Sequence, residues 1–312
     1  FYINDWNTIT ISGNVAYEIE QQPSETNISI YDENSALIAQ YKRTEVTSAL
    51  NPKYQYDLNY KKQFKNNKEH SLQLSALGRY FGKTQSSNFT NNYSLGTTNN
   101  RNQKTETKFY QLDQTVQLDY VNPFKKNWTL EAGAMYELND VGNNYAVYND
   151  ENGIYVVDDA FTNNFEYNQK VIAAYSTGAY EGKKWGAKLG ARVENTNLTT
   201  VLTNTNETSK QAYTNLFPSV HTSYKISKKV QFQAGYSKRI FRPRLWDLNP
   251  FFNIQNNYNI RTGNPKLLPE FADSYELTSI FYWKKVMLNA SLYYLYTTNV
   301  KENITVFEDD IS

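Results

Sequence analysis

Hydrophobic and polar residues alternate with a period of two along most of the chain. In the strand that begins at Val230, one face carries Val230, Phe232, Ala234 and Tyr236, and the positions between them are polar or small. Alternate side chains of a β-strand point to opposite faces of the sheet, so this pattern predicts amphipathic strands. The alternation recurs in Tyr54–Tyr60, Leu72–Tyr80, Trp128–Leu138, Trp185–Val193 and Val286–Tyr296. It predicts about a dozen strands of about ten to fourteen residues each.

Two kinds of connection alternate between these strands. Short basic turns lie near Lys65, Lys126, Lys184, Lys229 and Lys285. Long connections rich in Asn, Thr, Ser or Pro separate them, and one of these, with Asn152-Gly153, predicts a small hairpin. Short turns on one side and long loops on the other are typical of up-and-down outer-membrane barrels. The sequence therefore predicts an all-β fold, an up-and-down antiparallel transmembrane β-barrel with the lysine turns on one side of the membrane.

The composition excludes some classes of function but does not indicate a binding partner. The net charge is +1 and there is no cysteine, which excludes a strongly basic nucleic-acid surface and thiolate chemistry. Aromatic residues make up 15% of the chain, including 27 tyrosines, although its mean hydropathy is −0.71. Trp128 and Trp185 directly follow basic turns, as expected for an interfacial aromatic girdle. A large soluble β protein with one packed and one solvated face remains the alternative.

One long connection, residues 242–270, contains several specific motifs. They are Leu248-Asn-Pro-Phe251, Gly263-Asn-Pro265 and Pro269-Glu270, and they follow Asn215-Leu-Phe-Pro-Ser219 and Tyr236-Ser-Lys-Arg-Ile-Phe-Arg-Pro243. Together they resemble the C-terminal barrel region of TonB-dependent outer-membrane receptors, in the Bacteroidetes-type branch. The resemblance implies that residues 1–312 are part of one transmembrane barrel domain of a larger, 22-stranded barrel in the bacterial outer membrane. The plug domain, the first strands and the C-terminal strands are expected to lie outside this chain.

Two sets of residues in this connection are candidates for function. Its prolines cannot donate ladder hydrogen bonds, and Gly263 is expected to permit a positive φ, so the segment should hold a defined shape. The loop-shaping set is Arg242, Pro243, Asn249, Pro250, Gly263, Asn264, Pro265, Pro269 and Glu270. Trp246, Phe251 and Arg261 are predicted to offer aromatic and cationic contacts to a solute over the extracellular mouth. Arg239, Arg242 and Arg244 either line an anionic path or pair with acidic neighbours.

The residues do not predict catalysis, a cofactor or a metal. His70 and His221 lie in different strand pairs without carboxylates at ligand or triad spacing. By resemblance, the chain is expected to be an energy-coupled uptake receptor for a scarce solute: a metal chelate, a vitamin or an oligosaccharide. The alternative is a barrel that serves as a structural or assembly partner. Expected partners are outer-membrane lipid, a TonB-type energy-transducing protein that binds an N-terminal region outside this chain, and an outer-membrane lipoprotein or complex partner, but no nucleic acid.

Overall fold

The computed structural model describes residues 2–65, 67–97, 101–250, 253–256 and 259–305. Its elements, in chain order, are β1 (Tyr2–Asn4), β2 (Asn7–Tyr31), β3 (Leu37–Phe64), β4 (Asn67–Leu95), β5 (Gln103–Lys125), β6 (Trp128–Glu151), β7 (Ile154–Val157), β8 (Asn163–Glu181), β9 (Trp185–Leu202), β10 (Glu207–Ser227), β11 (Val230–Phe241), α1 (Leu245–Leu248), β12 (Asn253–Asn256), β13 (Asn259–Arg261), β14 (Glu270–Trp283) and β15 (Val286–Thr298). Among these residues, no helix is long and apolar enough to cross a membrane.

Consecutive strands pair antiparallel in the order of the chain. The main sheet runs β1-β2-β3-β4-β5-β6-β8-β9-β10-β11-β14-β15, with β7 paired to β6, while β12 and β13 form a separate pair. Because each strand reverses direction, the turns after β3, β5, β8, β10 and β14 all lie at the same end of the sheet. The predicted up-and-down fold is therefore confirmed, as is the common end of the five lysine turns.

Strands β11, β14 and β15 have the predicted length, with 12, 14 and 13 residues, whereas β2–β6 and β8–β10 are longer than the sequence pattern predicted. Strands β3 and β4 have 28 and 29 residues, and the regions around residues 20–31, 83–95 and 139–151 are strand rather than loop. For the longer strands the prediction of ten to fourteen residues is wrong, because it counted only the part with an apolar face. Beyond that part, a neighbouring strand still supplies ladder hydrogen bonds, and Asn, Thr and Ser side chains need no apolar surroundings.

The predicted hairpin at Asn152-Gly153 is confirmed. Glu151 pairs with Ile154, so the two residues between them form the turn. Both turn residues have positive φ, 58° for Asn152 and 88° for Gly153. Asn and Gly tolerate this conformation better than other residues, which is why the pair marks a tight hairpin.

The two faces of the sheet differ in polarity. One face exposes large apolar side chains, and Leu189 and Leu292 have 58% and 70% of their surface exposed. On this face Trp128 packs against Tyr180 at a ring-centroid distance of 4.9 Å, and Trp185 against Tyr224 at 4.2 Å. These aromatic pairs lie beside the lysine turns, where an interfacial girdle was predicted. The opposite face is largely polar, and we call it the inward face.

Candidate functional site

The connection between β11 and β14 folds onto the inward face of the sheet. We call its described parts, residues 242–250 and 262–269, the inner loop. Leu245 and Leu248 of this loop are buried in a cluster with Val141, Phe165, Tyr167, Leu198 and Leu202 from β6, β8 and β9. These strand residues are inward-facing apolar side chains in the upper parts of their strands, and the loop removes them from water. Burying an aliphatic side chain contributes about 1.5–3 kcal/mol, so the leucines hold the loop inside the barrel.

Gly263 joins the two halves of the inner loop by close backbone contact. Its N–H donates to the carbonyl of Asn249 at 2.7 Å, and the N–H of Asn264 donates to the carbonyl of Asp247 at 2.8 Å. A Cβ at Gly263 would lie 2.7 Å from both carbonyl oxygens. The prediction of a positive φ at Gly263 is wrong, because the positive-φ glycines of the described chain are Gly96 and Gly153. Glycine is required here by the approach of two backbone segments.

Arg242 anchors the start of the inner loop through an ion pair. Its Nη2 donates to Oε2 of Glu194 at 2.5 Å, and its Nε donates to Oγ1 of Thr196 at 3.2 Å. The second oxygen of Glu194 accepts from Nε of Arg192, also at 2.5 Å. The Glu194 side chain is 10% exposed and that of Arg242 is 19% exposed. Of the two hypotheses for Arg242, pairing with an acidic neighbour is therefore the one that the structure supports.

The remaining loop-shaping residues contact the surrounding strands or one another. The phenol of Tyr167 donates to the carbonyl of Pro243 at 3.4 Å. Gln211 donates to the carbonyl of Pro265 at 3.2 Å. The other contacts are Asn163 to the side-chain oxygen of Asn249, Thr262 to the carbonyl of Pro250, Asn299 to the carbonyl of Pro269, and the Lys301 N–H to the carboxylate of Glu270.

The predicted solute-contact residues are described unevenly by the structure. Trp246 lies on α1, is 52% exposed and stacks on inward-facing Phe109 at a centroid distance of 6.0 Å with an interplanar angle of 12°. Phe251 lies outside the described residues, and Arg261 is described only as backbone of β13. The inner loop places Trp246 against the inward face of the barrel wall. Trp246 remains a predicted contact residue.

Sequence reasoning missed several residues of this site. Glu194, Thr196 and Tyr167 hold the inner loop, and Phe109 provides the surface on which Trp246 stacks. In the alternating pattern, each of these residues lies on the polar face of its strand. An aromatic or acidic side chain at such a position carries no periodic signal, because its partner is distant in the chain.

The strands and the loop together define the class of protein. An up-and-down antiparallel sheet with an apolar outward face, a polar inward face and a connection folded inside is a β-barrel of the outer-membrane type. Residues 62–312 match the outer membrane protein beta-barrel family, so the chain belongs to this family, and it is a protein of the bacterial outer membrane. Among curated proteins, no sequence matches the chain.

Several solved structures are similar to the chain over about half their own length. The ferric citrate transporter FecA is 10% identical to this chain, with a TM-score of 0.42. The matched region covers 93% of this chain and 51% of the FecA chain. The copper transporter OprC is 11% identical, with a TM-score of 0.49, and the match covers 93% of this chain and 53% of the OprC chain. The ferric yersiniabactin uptake receptor FyuA from Yersinia pestis is 10% identical, with a TM-score of 0.43. The match covers 95% of this chain and 50% of the FyuA chain. At these identities the similarity concerns the fold.

Proposed function

We propose that the chain forms part of the barrel of an outer-membrane receptor that takes up a scarce solute with energy from a TonB-type partner. The observation that carries the proposal is the inner loop, which is held inside the barrel by buried leucines, an ion pair and backbone hydrogen bonds. A barrel with a purely structural role needs no ordered loop in its lumen. A receptor does, because the loop narrows the passage and offers fixed contacts to a solute.

The sequence motifs support the same proposal. The Pro- and Gly-containing segments that resemble TonB-dependent receptors are those that make the inner-loop contacts, at Pro243, Asn249, Gly263 and Pro265. The family resemblance and the loop geometry thus concern the same residues. The solute is a metal chelate, a vitamin or an oligosaccharide, and an outer-membrane lipoprotein is the further partner that we expect beside the energy-transducing protein.

Uptake under energy limitation tests this function. We expect cells that depend on this protein for a limiting nutrient to lose uptake when the TonB-type partner is deleted or the proton gradient is collapsed, while the folded barrel persists in the outer membrane. Solute entry that continues without energy would contradict the proposal. If deletion of the protein instead abolished assembly of an outer-membrane complex and left import unchanged, the structural-partner alternative would replace it.

Membrane orientation can be tested by single cysteines, because the chain has none of its own. We expect Asn152→Cys, in the β6–β7 turn, to react with an impermeant maleimide on intact cells, since outer-membrane barrels place their longer connections outside. Lys183→Cys, between β8 and β9, should react only after the cells are broken. Equal labelling of both positions on intact cells would show that the assignment of sides is wrong.

Strand β11 offers a matched pair of positions for testing the lipid-facing side. Phe232 pairs with Tyr224 and Ser279, and Gln233 pairs with Ser223 and Thr278 on the opposite face. Phe232 is the third residue of β11 and pairs with Tyr224 of the aromatic girdle, so we expect Phe232→Lys to destabilise the barrel by about 1 kcal/mol, the cost of a lipid-facing charge near the interface. Gln233→Lys should cost much less. The free energy of unfolding in phospholipid vesicles measures both, and equal losses would mean that both faces are buried in protein.

A further inference from the structure

A cavity lies on the inward face of strands β2 to β5. Its volume is about 310 Å³, and it is lined by side chains that include Asn14, Gln55, Arg79, Phe81 and Asp113. This volume is at the lower end of the range of about 300–1,000 Å³ that is typical of small-molecule sites. The cavity is therefore large enough for one ring of a larger solute.

An aromatic row connects this cavity to the inner loop. Phe81, which lines the cavity, contacts Phe109 at a centroid distance of 5.9 Å, and Phe109 stacks on Trp246 at 6.0 Å. Aromatic faces carry partial negative charge and pack favourably against C–H groups. The row extends from the cavity to a residue of the inner loop, so a solute with several rings could contact both.

The polar side chains of the cavity combine several hydrogen-bond donors with one carboxylate. Asn14, Gln55, Arg79 and Asp113 are consecutive cross-strand partners on β2 to β5. Among the described residues, the Arg79 side chain has no hydrogen-bond or ion-pair partner, and it forms no ion pair with Asp113. Lys53, also in the cavity, forms an ion pair with Glu18 at 2.5 Å, and its ammonium nitrogen lies 5.7 Å from the centroid of the Phe81 ring.

The arrangement of Arg79 and Asp113 selects the kind of ligand. An anion that bound Arg79 would also meet the carboxylate of Asp113 directly across the strand pair, and like charges in close contact are unfavourable. The carboxylate oxygens of Asp113 already accept from the amides of Gln111 and Asn139, and each oxygen has a second lone pair. A neutral ring with adjacent hydroxyl groups avoids the charge conflict, because one hydroxyl accepts from the guanidinium and the next donates to a remaining lone pair of the carboxylate. The amides of Asn14 and Gln55 can serve further hydroxyls.

We propose that this cavity binds one ring of a neutral oligosaccharide, which packs on Phe81 and bridges Arg79 and Asp113 through its hydroxyls. The next rings follow the aromatic row toward Trp246. This inference rests on the proposed receptor function and names its substrate class. It makes Arg79, Phe81 and Asp113 binding residues of the barrel wall, separate from the contacts that hold the inner loop.

Calorimetric titration of the full-length protein, extracted from outer membranes in detergent, tests the inference. The probes are maltohexaose, cellohexaose and xylohexaose, with hexagalacturonate and benzoate as anionic comparisons. We expect at least one neutral hexasaccharide to bind, and Arg79→Gln and Phe81→Ala each to weaken its binding about tenfold or more. Phe89→Ala is the matched control, because Phe89 also faces inward on β4 but packs on Arg43 away from the cavity. We expect the Phe89→Ala variant to bind the saccharide as tightly as the unsubstituted protein.

Three outcomes would overturn the saccharide site. They are no binding of any neutral hexasaccharide, binding that both variants leave intact, or binding of the anionic probes alone through Arg79. These outcomes are distinct from failure of the receptor function. Saccharide binding that depends on Arg79, together with entry that needs no energy, would retain the site and reject the receptor. Energy-dependent uptake of another solute, without saccharide binding, would retain the receptor function and reject the saccharide site.

Discussion

Replacing Glu194 by alanine is expected to release the inner loop from the barrel wall while the strands remain paired. The substitution leaves the largely buried guanidinium of Arg242 and the neighbouring Arg192 without their shared carboxylate. Breaking one side of a buried ion pair costs about 3–5 kcal/mol, because the remaining charge is desolvated and unpaired. The loop bears this cost, since Glu194 makes its side-chain contacts with Arg192 and Arg242 and its backbone ladder is unchanged.

Hydrogen exchange measures this effect at the loop itself. The amides of Gly263 and Asn264 are hydrogen-bonded within the docked loop, and we expect Glu194→Ala to accelerate their exchange about a hundredfold or more, since each 1.4 kcal/mol is tenfold. Glu131→Ala is the control, because Glu131 forms an inward ion pair with Lys188 at 2.8 Å in which both side chains are more than one third exposed. Such a pair is worth about 0–1 kcal/mol. Equal acceleration in both variants would show that Glu194 has no special role in docking.

A valine at Gly263 is expected to reduce solute uptake strongly without preventing barrel assembly. The added Cβ would overlap the carbonyl oxygens of Asp247 and Asn249, and the two backbone segments would have to separate. Two backbone hydrogen bonds would then be lost, at about 0.5–1.5 kcal/mol each, and the docked shape of the loop with them. Because no ladder between main strands involves Gly263, the heat-modifiable folded barrel should form in normal amounts. Growth on the limiting nutrient should fall about tenfold or more, since small misplacements of binding groups are costly.

Gly178→Val provides the matched control for this prediction. A Cβ at Gly178 meets no atom within 4 Å, and the residue lies in β8 away from the inner loop. We expect this variant to retain both the folded barrel and uptake. If Gly263→Val also retained uptake, the shape of the inner loop would be unimportant for function. If instead neither variant assembled, the loop would be part of the folding requirement of the barrel.

The candidate site was predictable only where its residues carry a local signal. A connection of defined conformation is indicated by Pro243, Pro250, Pro265 and Gly263, because the backbone properties of proline and glycine do not depend on distant residues. The position of that connection inside the barrel was not predictable. It depends on the pairing of Arg242 with Glu194, which lies 48 residues earlier, and on leucines that meet apolar side chains of β6, β8 and β9. The reason for Gly263 was likewise mispredicted, because the approach of Asp247 and Asn249 is a tertiary contact.

For the whole molecule, the amino-acid sequence by itself determined the fold class, the order of strands, the common end of the lysine turns and the apolar outward face. These features follow from a period of two and from turn residues, which act over a few positions. The tertiary structure alone decided how far the strands extend, where the inner loop lies and which inward residues meet. A polar segment becomes strand only when a neighbour offers its backbone hydrogen bonds, and a loop is drawn inward only when buried apolar and ionic contacts offset its ordering.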